Sequence, residues 1–148
     1  MASTTVTGLR ETLLNLGKVE VDIDEAVNDA IAETALAVES RAKKKIVKPS
    51  IGTYVTRYTA GGKPYQHVAS KEGEAPNNDT GALQQSISTE LFRKEQFAFV
   101  TANIEYASYL ETVLNRPFLG PSLIQEKANF NKRAIKHVNK QASKKRSK

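Results

Sequence analysis

The sequence predicts an α+β protein in which a small antiparallel β-sheet packs with a long N-terminal helix and a C-terminal helix. Apolar residues recur at helical spacing in the first part of the chain and again near its end. Between these parts, short β-branched and aromatic runs are separated by turn-forming residues, a pattern typical of hairpins. The chain has 148 residues, enough for one modest core. We therefore expect a single domain over residues 1–142 and a flexible basic tail over residues 143–148.

The chain opens with a short amphipathic pattern over residues 7–16. Leucines dominate this stretch, and Gly17 is predicted to end the helix. A helix of this length is not stable alone and must dock against another surface. Two of its leucines, Leu9 and Leu13, are therefore candidate interface residues.

A second and better defined helix follows. It begins at Asp22 or Asp24, either of which can cap it, and it ends in a run of lysines before Pro49. Cations at the end of a helix complement its dipole. We therefore interpret the lysines as residues that stabilise the end of the helix rather than as a nucleic-acid-binding patch. In the same way, we interpret the aspartates as helix caps rather than as metal ligands.

After Pro49 the pattern becomes strand-like. Residues 53–59 are β-branched and aromatic, Gly61 and Gly62 offer a turn, and residues 65–68 follow. This predicts a hairpin or extended loop inserted at about residues 50–78. A lone hairpin needs a partner surface, so we predict that its tyrosines lie at an interface: Tyr54, Tyr58 and Tyr65. Stacking on nucleic-acid bases is the alternative use of these rings.

The second half of the chain predicts two more strands and two helices. The strands are Ile87–Phe92 and residues 96–102, which we expect to pair as antiparallel neighbours. A short helix over residues 106–113 follows. Pro121 suits the first turn of a last helix that runs to about Gln141.

Composition argues against an enzyme. The chain has no cysteine and only two histidines, His67 and His137, and neither histidine lies in a metal-ligand spacing. The Asp79-Thr80-Gly81 triplet is similar to that of aspartic proteases, but those enzymes need two such carboxylates, and the sequence has one triplet. We therefore predict no catalytic residue, no cofactor and no metal. No signal pattern or long apolar run is present, so we expect a protein made in the cytoplasm without membrane contact.

The net charge of +6 is a property of the C-terminus. Nine of the 22 basic residues lie from Lys127 onward, where no acidic residue occurs after Glu126, and the rest carries 13 basic against 16 acidic residues. Such an end favours contact with DNA or an acidic surface, or serves only solubility. The candidate contact residues are Lys140, Lys144, Lys145, Arg146 and Lys148.

Two motif segments lie between the outer helices, at residues 79–87 and 106–123. In the first, Gly81 permits a tight turn, after which Leu83 and Ile87 are expected to enter the core. In the second, prolines at 117 and 121 stiffen the entry to the last helix, and Phe118 is expected to pack onto the sheet. Glu111 and Arg116 are close enough in sequence to form a pair.

The order of these segments resembles the neck or tail-completion family of long-tailed bacteriophages, also called head–tail connector proteins. The resemblance covers roughly residues 24–138. Only residues 112–115 separate the two parts of the second segment, whereas many members have a glycine and a longer loop there, and residues 52–70 are an elaboration. The residues that carry the resemblance are Thr80, Gly81, Leu83, Ser86, Ile87, Tyr106, Ala107, Glu111, Arg116, Pro117, Phe118, Leu119, Pro121 and Leu123.

The resemblance implies a structural virion protein without catalytic activity. Such a protein forms a six-fold or twelve-fold ring at the head–tail junction, around the channel through which DNA leaves. Its partners would be the head connector or head-closure protein on one side and the tail terminator or tail tube protein on the other, with non-specific contact to genomic DNA. A tail-terminator ring and a free, sequence-independent nucleic-acid-binding protein are the alternatives.

Overall fold

The computed structural model describes residues 9–48 and 51–146. The chain forms mixed helices and strands, which confirms the predicted α+β class, and the strands make two antiparallel sheets of two strands each. In chain order the elements are α1 (Leu9–Val47), β1 (Thr53–Tyr58), β2 (Pro64–Ala69), α2 (Ala82–Ser86), β3 (Ile87–Phe92), β4 (Phe97–Ala102), α3 (Tyr106–Thr112), α4 (Leu119–Lys127) and α5 (Phe130–Arg146).

The first helix is continuous, and the predicted stop at Gly17 is wrong. α1 has 39 residues and passes through Gly17. A glycine inside a helix costs about 1 kcal/mol relative to alanine, and good helix formers surround this one, so one glycine does not end the helix. Leu9 and Leu13 lie in the part of α1 for which only the backbone is described. Their predicted interface role therefore lies outside the described side chains.

The other helices and the second sheet pack along α1. Its buried stripe is rich in alanine, which lets neighbouring elements approach closely; the stripe comprises Ala26, Ala30, Ala35, Val38, Ala42 and Ile46. α5 runs antiparallel to α1, because His137 lies near Asp29 while Arg133 lies near Glu33. No helix in the described part of the chain is long and apolar enough to cross a bilayer.

The core lies where α1, α2, α3 and the start of α4 meet. Leu83 and Ile87 are buried there as predicted, together with Ala107 and Phe118. Phe118 is the largest fully buried side chain and is 0% exposed. Burying a phenylalanine completely contributes about 2–3 kcal/mol, so this residue fixes where α4 begins.

The two hairpins differ in how they are supported. β3 and β4 pair from Ile87 with Ala102 to Phe92 with Phe97, and both pack on α1. β1 and β2 pair from Thr53 with Ala69 to Tyr58 with Pro64. This first hairpin stands apart from the helices, at the position predicted for an insertion.

The predicted last helix is two helices. α4 ends at Lys127 and α5 starts at Phe130, because the chain tightens between them: the Asn129 N–H donates to the Glu126 carbonyl at 3.0 Å. The break lets α4 and α5 both face α1. α5 then continues to Arg146, so most of the predicted flexible tail is helical, and residues 147–148 lie outside the described chain.

A buried carboxylate joins three helices. Glu126 of α4 is 3% exposed, and its two oxygens lie 2.5 Å from Arg41 of α1 and 2.5 Å from Arg133 of α5. The hydrogen bond from Arg133 and then that from Arg41 lower the pKa of Glu126 below 4.5, although burial opposes the shift. The ionised Glu126 carboxylate therefore contributes stability above the pKa that Glu126 has in the unfolded chain. This contribution is lost as pH falls through the lower pKa that it has in the folded chain.

We expect Glu126→Gln to destabilise the fold by about 3 kcal/mol, because it leaves two guanidinium groups without their carboxylate. Thermal melts between pH 7 and pH 3 provide the measurement. The melting temperature of the parent chain should hold above about pH 5 and fall below it, whereas the variant should show a smaller acid-dependent fall.

Lys136→Gln is the control, since this lysine pairs with Glu33 on the surface and its loss should cost less than about 1 kcal/mol. An acid-dependent fall of equal size in the parent chain and in Glu126→Gln would contradict the assignment.

Candidate interaction surfaces

The first motif segment makes the turn into α2. Gly81 has a φ of 83° at the N-terminal end of α2, a left-handed conformation that favours glycine. The Ala82 N–H donates to the Thr80 hydroxyl at 3.3 Å, and the Gln85 N–H donates to the Gly81 carbonyl at 3.0 Å. The role expected for Gly81 is thus confirmed: the turn delivers Leu83 to the core.

Asp79 ties the first hairpin to this turn. Its carboxylate accepts hydrogen bonds from Arg57 at 2.5 Å and from the Tyr65 hydroxyl at 2.8 Å, and His67 lies 3.6 Å away. The hydrogen bond to the Asp79 carboxylate raises the pKa of Tyr65. Asp79 therefore has a structural role that the sequence reading missed. The signal was the hairpin register, because Arg57 and Tyr65 are cross-strand partners.

The pleat divides the predicted tyrosines between two faces of the hairpin. Cross-strand partners share a face, and neighbours along a strand alternate. Arg57 and Tyr65 form one pair and face Asp79. The interface role of Tyr65 stays a prediction; within the chain its hydroxyl donates to Asp79 on the inner face of the hairpin.

The opposite face of the hairpin is open. Tyr54 and Tyr58 are 74% and 69% exposed, and their cross-strand partners are Val68 and Pro64. We call the surface formed by Tyr54 and Tyr58 the hairpin face. Large aromatic rings that remain exposed on one face of a hairpin are typical of contact sites.

A second apolar surface lies on the other sheet and was not predicted. Phe92, Phe97 and Phe99 form a cluster with ring centroids 4.8 to 5.8 Å apart. Phe99 is 55% exposed, and Leu123 of α4 is 54% exposed. Beside them is a groove of about 360 Å³ lined by Ile31, Ala35, Val38, Phe99, Leu123 and Phe130. We call this surface the aromatic groove.

The sequence signal for the aromatic groove was present. Phe97 and Phe99 alternate along β4 and are both exposed, whereas the residues between and after them are partly buried. Apolar residues on both faces of a strand indicate that each face is covered by something. In the described structure α1 and its neighbours cover one face only.

The second motif segment completes the start of α4. One Glu111 oxygen accepts the N–H groups of Phe118 at 2.9 Å and Leu119 at 3.2 Å, and the other accepts that of Gly120 at 2.8 Å. The next residue, Pro121, has no N–H to satisfy. All four donors that a helix leaves free at its N-terminus are thus accounted for.

This use of Glu111 overturns one expectation. The carboxylate binds the helix N-terminus, and the described structure contains no Glu111–Arg116 pair. A negative charge at this end also complements the helix dipole. Pro117, which directly precedes the capped end, is partly buried, and Tyr106 at the start of α3 is 43% exposed.

Several basic side chains of the C-terminal helix α5 contact acidic residues of α1. Lys136 and His137 contact Glu33 at 3.0 and 2.8 Å, and these hydrogen bonds, the His137 bond first, lower the pKa of Glu33. Lys140 and Lys144 are exposed and remain available. The side chains of Lys145 and Arg146 lie outside the described part, as does Lys148.

The described residues contain no group of three or more histidine, aspartate or glutamate side chains arranged to hold a metal ion. No family model matches the chain, and neither a curated protein nor a solved structure matches it. Function is therefore inferred from the two apolar surfaces and the motif segments described above.

We expect Glu111→Ala to lower the free energy of unfolding by about 2 kcal/mol, because three N–H groups lose their acceptor at the edge of the core. Denaturant unfolding followed by circular dichroism provides the measurement. Glu105→Ala is a matched control on an exposed glutamate just before α3, and it should change stability by less than about 0.5 kcal/mol. Equal losses for the two variants would contradict the capping role.

Proposed function

We propose that this chain is a structural subunit of the neck of a long-tailed bacteriophage, where copies form a ring between the head connector and the tail tube. The observation that carries the proposal is the pair of unlike apolar surfaces, the hairpin face and the aromatic groove, on separate sheets. A ring with cyclic symmetry joins each subunit head to tail and so needs two different contact faces. The resemblance of the motif segments to neck proteins supplies the setting.

The first hairpin suits one side of such a contact. A two-stranded sheet alone is marginally stable in water, and this one is tied to the domain mainly on its inner face, at Asp79. Its outer face presents Tyr54 and Tyr58, whose rings combine apolar area with a polar tip. A neighbouring subunit would bury this face.

The aromatic groove suits the other side. It is concave and apolar, and its wall includes the half-exposed ring of Phe99, which contacts the ring of Phe97. Aromatic rings that meet edge to face gain about 1 kcal/mol per pair beyond the area they bury. We infer that the hairpin face of one copy packs into the aromatic groove of the next.

The scaffold between the two surfaces supports a ring rather than a mobile assembly. Glu111 fixes the start of α4, Glu126 fixes α4 and α5 against α1, and Asp79 holds the first hairpin against the turn into α2. The angle between the two contact faces then repeats from one subunit to the next, as closure of a ring requires. Lys140 and Lys144 would supply a weak, sequence-independent contact with DNA or with an acidic partner.

Mixing two variants tests the head-to-tail contact. We expect Tyr54→Ser/Tyr58→Ser and Phe99→Ser to be monomeric alone at concentrations at which the parent chain assembles. An equimolar mixture should give a dimer of one copy of each and no closed ring, because each variant retains one intact face. Light scattering after size-exclusion chromatography provides the measurement.

Ile135→Ser is the control, since this exposed residue of α5 belongs to neither surface; it should assemble like the parent chain. Two outcomes would contradict the proposed head-to-tail contact: either variant forms rings alone, or the mixture gives no dimer.

Imaging of phage lysates tests the neck role. We expect a phage whose copy of this chain carries Tyr54→Ser/Tyr58→Ser to accumulate unjoined heads and tails, because a subunit lacking one contact face cannot close the ring. Negative-stain electron microscopy gives the fraction of joined particles, with Ile135→Ser as the control. Normal virions in the Tyr54/Tyr58 variant and in a lysate lacking the protein would overturn the assignment.

A further inference from the structure

A cavity lined by both polar and apolar residues lies between the base of the first hairpin and α3. It has a volume of about 440 Å³. Its wall brings together residues from both motif segments and from the hairpin, which are far apart in sequence. The polar and charged side chains that line it include those of Arg57, His67, Ser70, Asp79 and Arg116.

Two buried polar groups in this wall have no partner within the described chain. Ser70 is 3% exposed, and its hydroxyl oxygen makes no hydrogen bond. The Nε of Arg116 is likewise buried and makes no hydrogen bond. A buried hydroxyl without a partner destabilises the fold, and a buried charged group without one destabilises it more.

Arg116 differs from the other arginines whose side chains are described because it has no carboxylate partner. Arg41 and Arg133 pair with Glu126, Arg57 pairs with Asp79, and Arg93 pairs with Asp29. Arg116 alone among these five has no carboxylate partner.

The charge of the cavity wall follows from these pairs. The charges of Arg57 and Asp79 cancel at 2.5 Å, and His67 lies 3.6 Å from the other oxygen of the same carboxylate. The positive charge of Arg116 is therefore unmatched. A cavity with one unmatched cation favours an anion.

The backbone holds Arg116 in place. Its N–H donates to the Leu110 carbonyl at 2.9 Å. The preceding residue, Asn115, has a φ of 46°, its carbonyl accepts the Gly73 N–H at 2.6 Å, and its side chain donates to Glu72 at 3.0 Å. The backbone from which the Arg116 side chain projects is thus fixed before any ligand arrives, which reduces the entropy lost on binding.

We propose that Arg116 and Ser70 form a binding site for a single oxyanion, a carboxylate or phosphate group. The planar guanidinium can donate two parallel hydrogen bonds to two oxygens of such a group, and the Ser70 hydroxyl can donate a third. The oxyanion comes either from an acidic side chain of a neighbouring copy or from free inorganic phosphate. The site does not depend on the ring proposed above.

Thermal melts of the full chain with increasing inorganic phosphate, at constant ionic strength and low protein concentration, test the site. A ligand that binds only the folded state raises the melting temperature in a saturable way. We expect a rise of about 3–6 °C in the parent chain, none in Arg116→Gln and a smaller one in Ser70→Ala. Phosphate also stabilises proteins by exclusion from their surface, but that effect does not saturate and is shared by all variants.

A second arm varies protein concentration in the absence of phosphate. If the oxyanion is a carboxylate of a neighbouring copy, the melting temperature of the parent chain rises with its concentration, and that rise is absent in Arg116→Gln. Arg93→Gln is the control in both arms, because this exposed arginine pairs with Asp29 away from the cavity.

Either an Arg116-dependent phosphate response or an Arg116-dependent concentration response supports the site and identifies its source. Equal responses of the parent chain and Arg116→Gln in both arms would overturn it. Should Arg116→Gln not fold, Ser70→Ala decides by the same comparison. The outcome is separate from that of the mixing experiment, which changes neither residue.

Discussion

The structure depends on one constraint: a helix begins inside the core. Phe118 is fully buried at the start of α4, so the N–H groups that the helix leaves free there cannot all reach water. Glu111 resolves this by accepting three of them, and a proline stands at the fourth position. Once this end is fixed, the direction of α4 is fixed, and Glu126 at its other end meets Arg41 and Arg133. The placement of α5 along α1 follows.

Short local patterns were enough to predict much of this fold. The strands of both hairpins start and end within about one residue of their predicted limits, because β-branched and aromatic runs, and the glycine turn of the first hairpin, act over a few residues. The break between α4 and α5 was missed, since it depends on Glu126 and Arg133 reaching α1, a contact between residues far apart in sequence. The predicted helix stop at Gly17 was wrong because the free-energy cost of one glycine is small within a long helix.

The candidate surfaces were predicted less completely. The sequence identified Tyr54 and Tyr58, but it could not separate them from Tyr65, because the face of a strand depends on register and on what lies beneath it. The aromatic groove combines residues from four elements, and only their packing brings them together. Glu111 and Arg116 were expected to pair with each other. Instead, Glu111 accepts hydrogen bonds from the N-terminus of α4, and Arg116 lines a cavity.

The tether of the first hairpin has a consequence for how this protein can change over generations. Its inner face is held through Asp79, and the Val68 carbonyl accepts a hydrogen bond from Asn77, while the rings of Tyr54 and Tyr58 on its outer face are largely exposed. Substitutions at Tyr54 or Tyr58 therefore leave folding nearly unaffected. Mutations there can alter the choice of partner while the core stays constant, so recognition and stability can evolve separately in this chain.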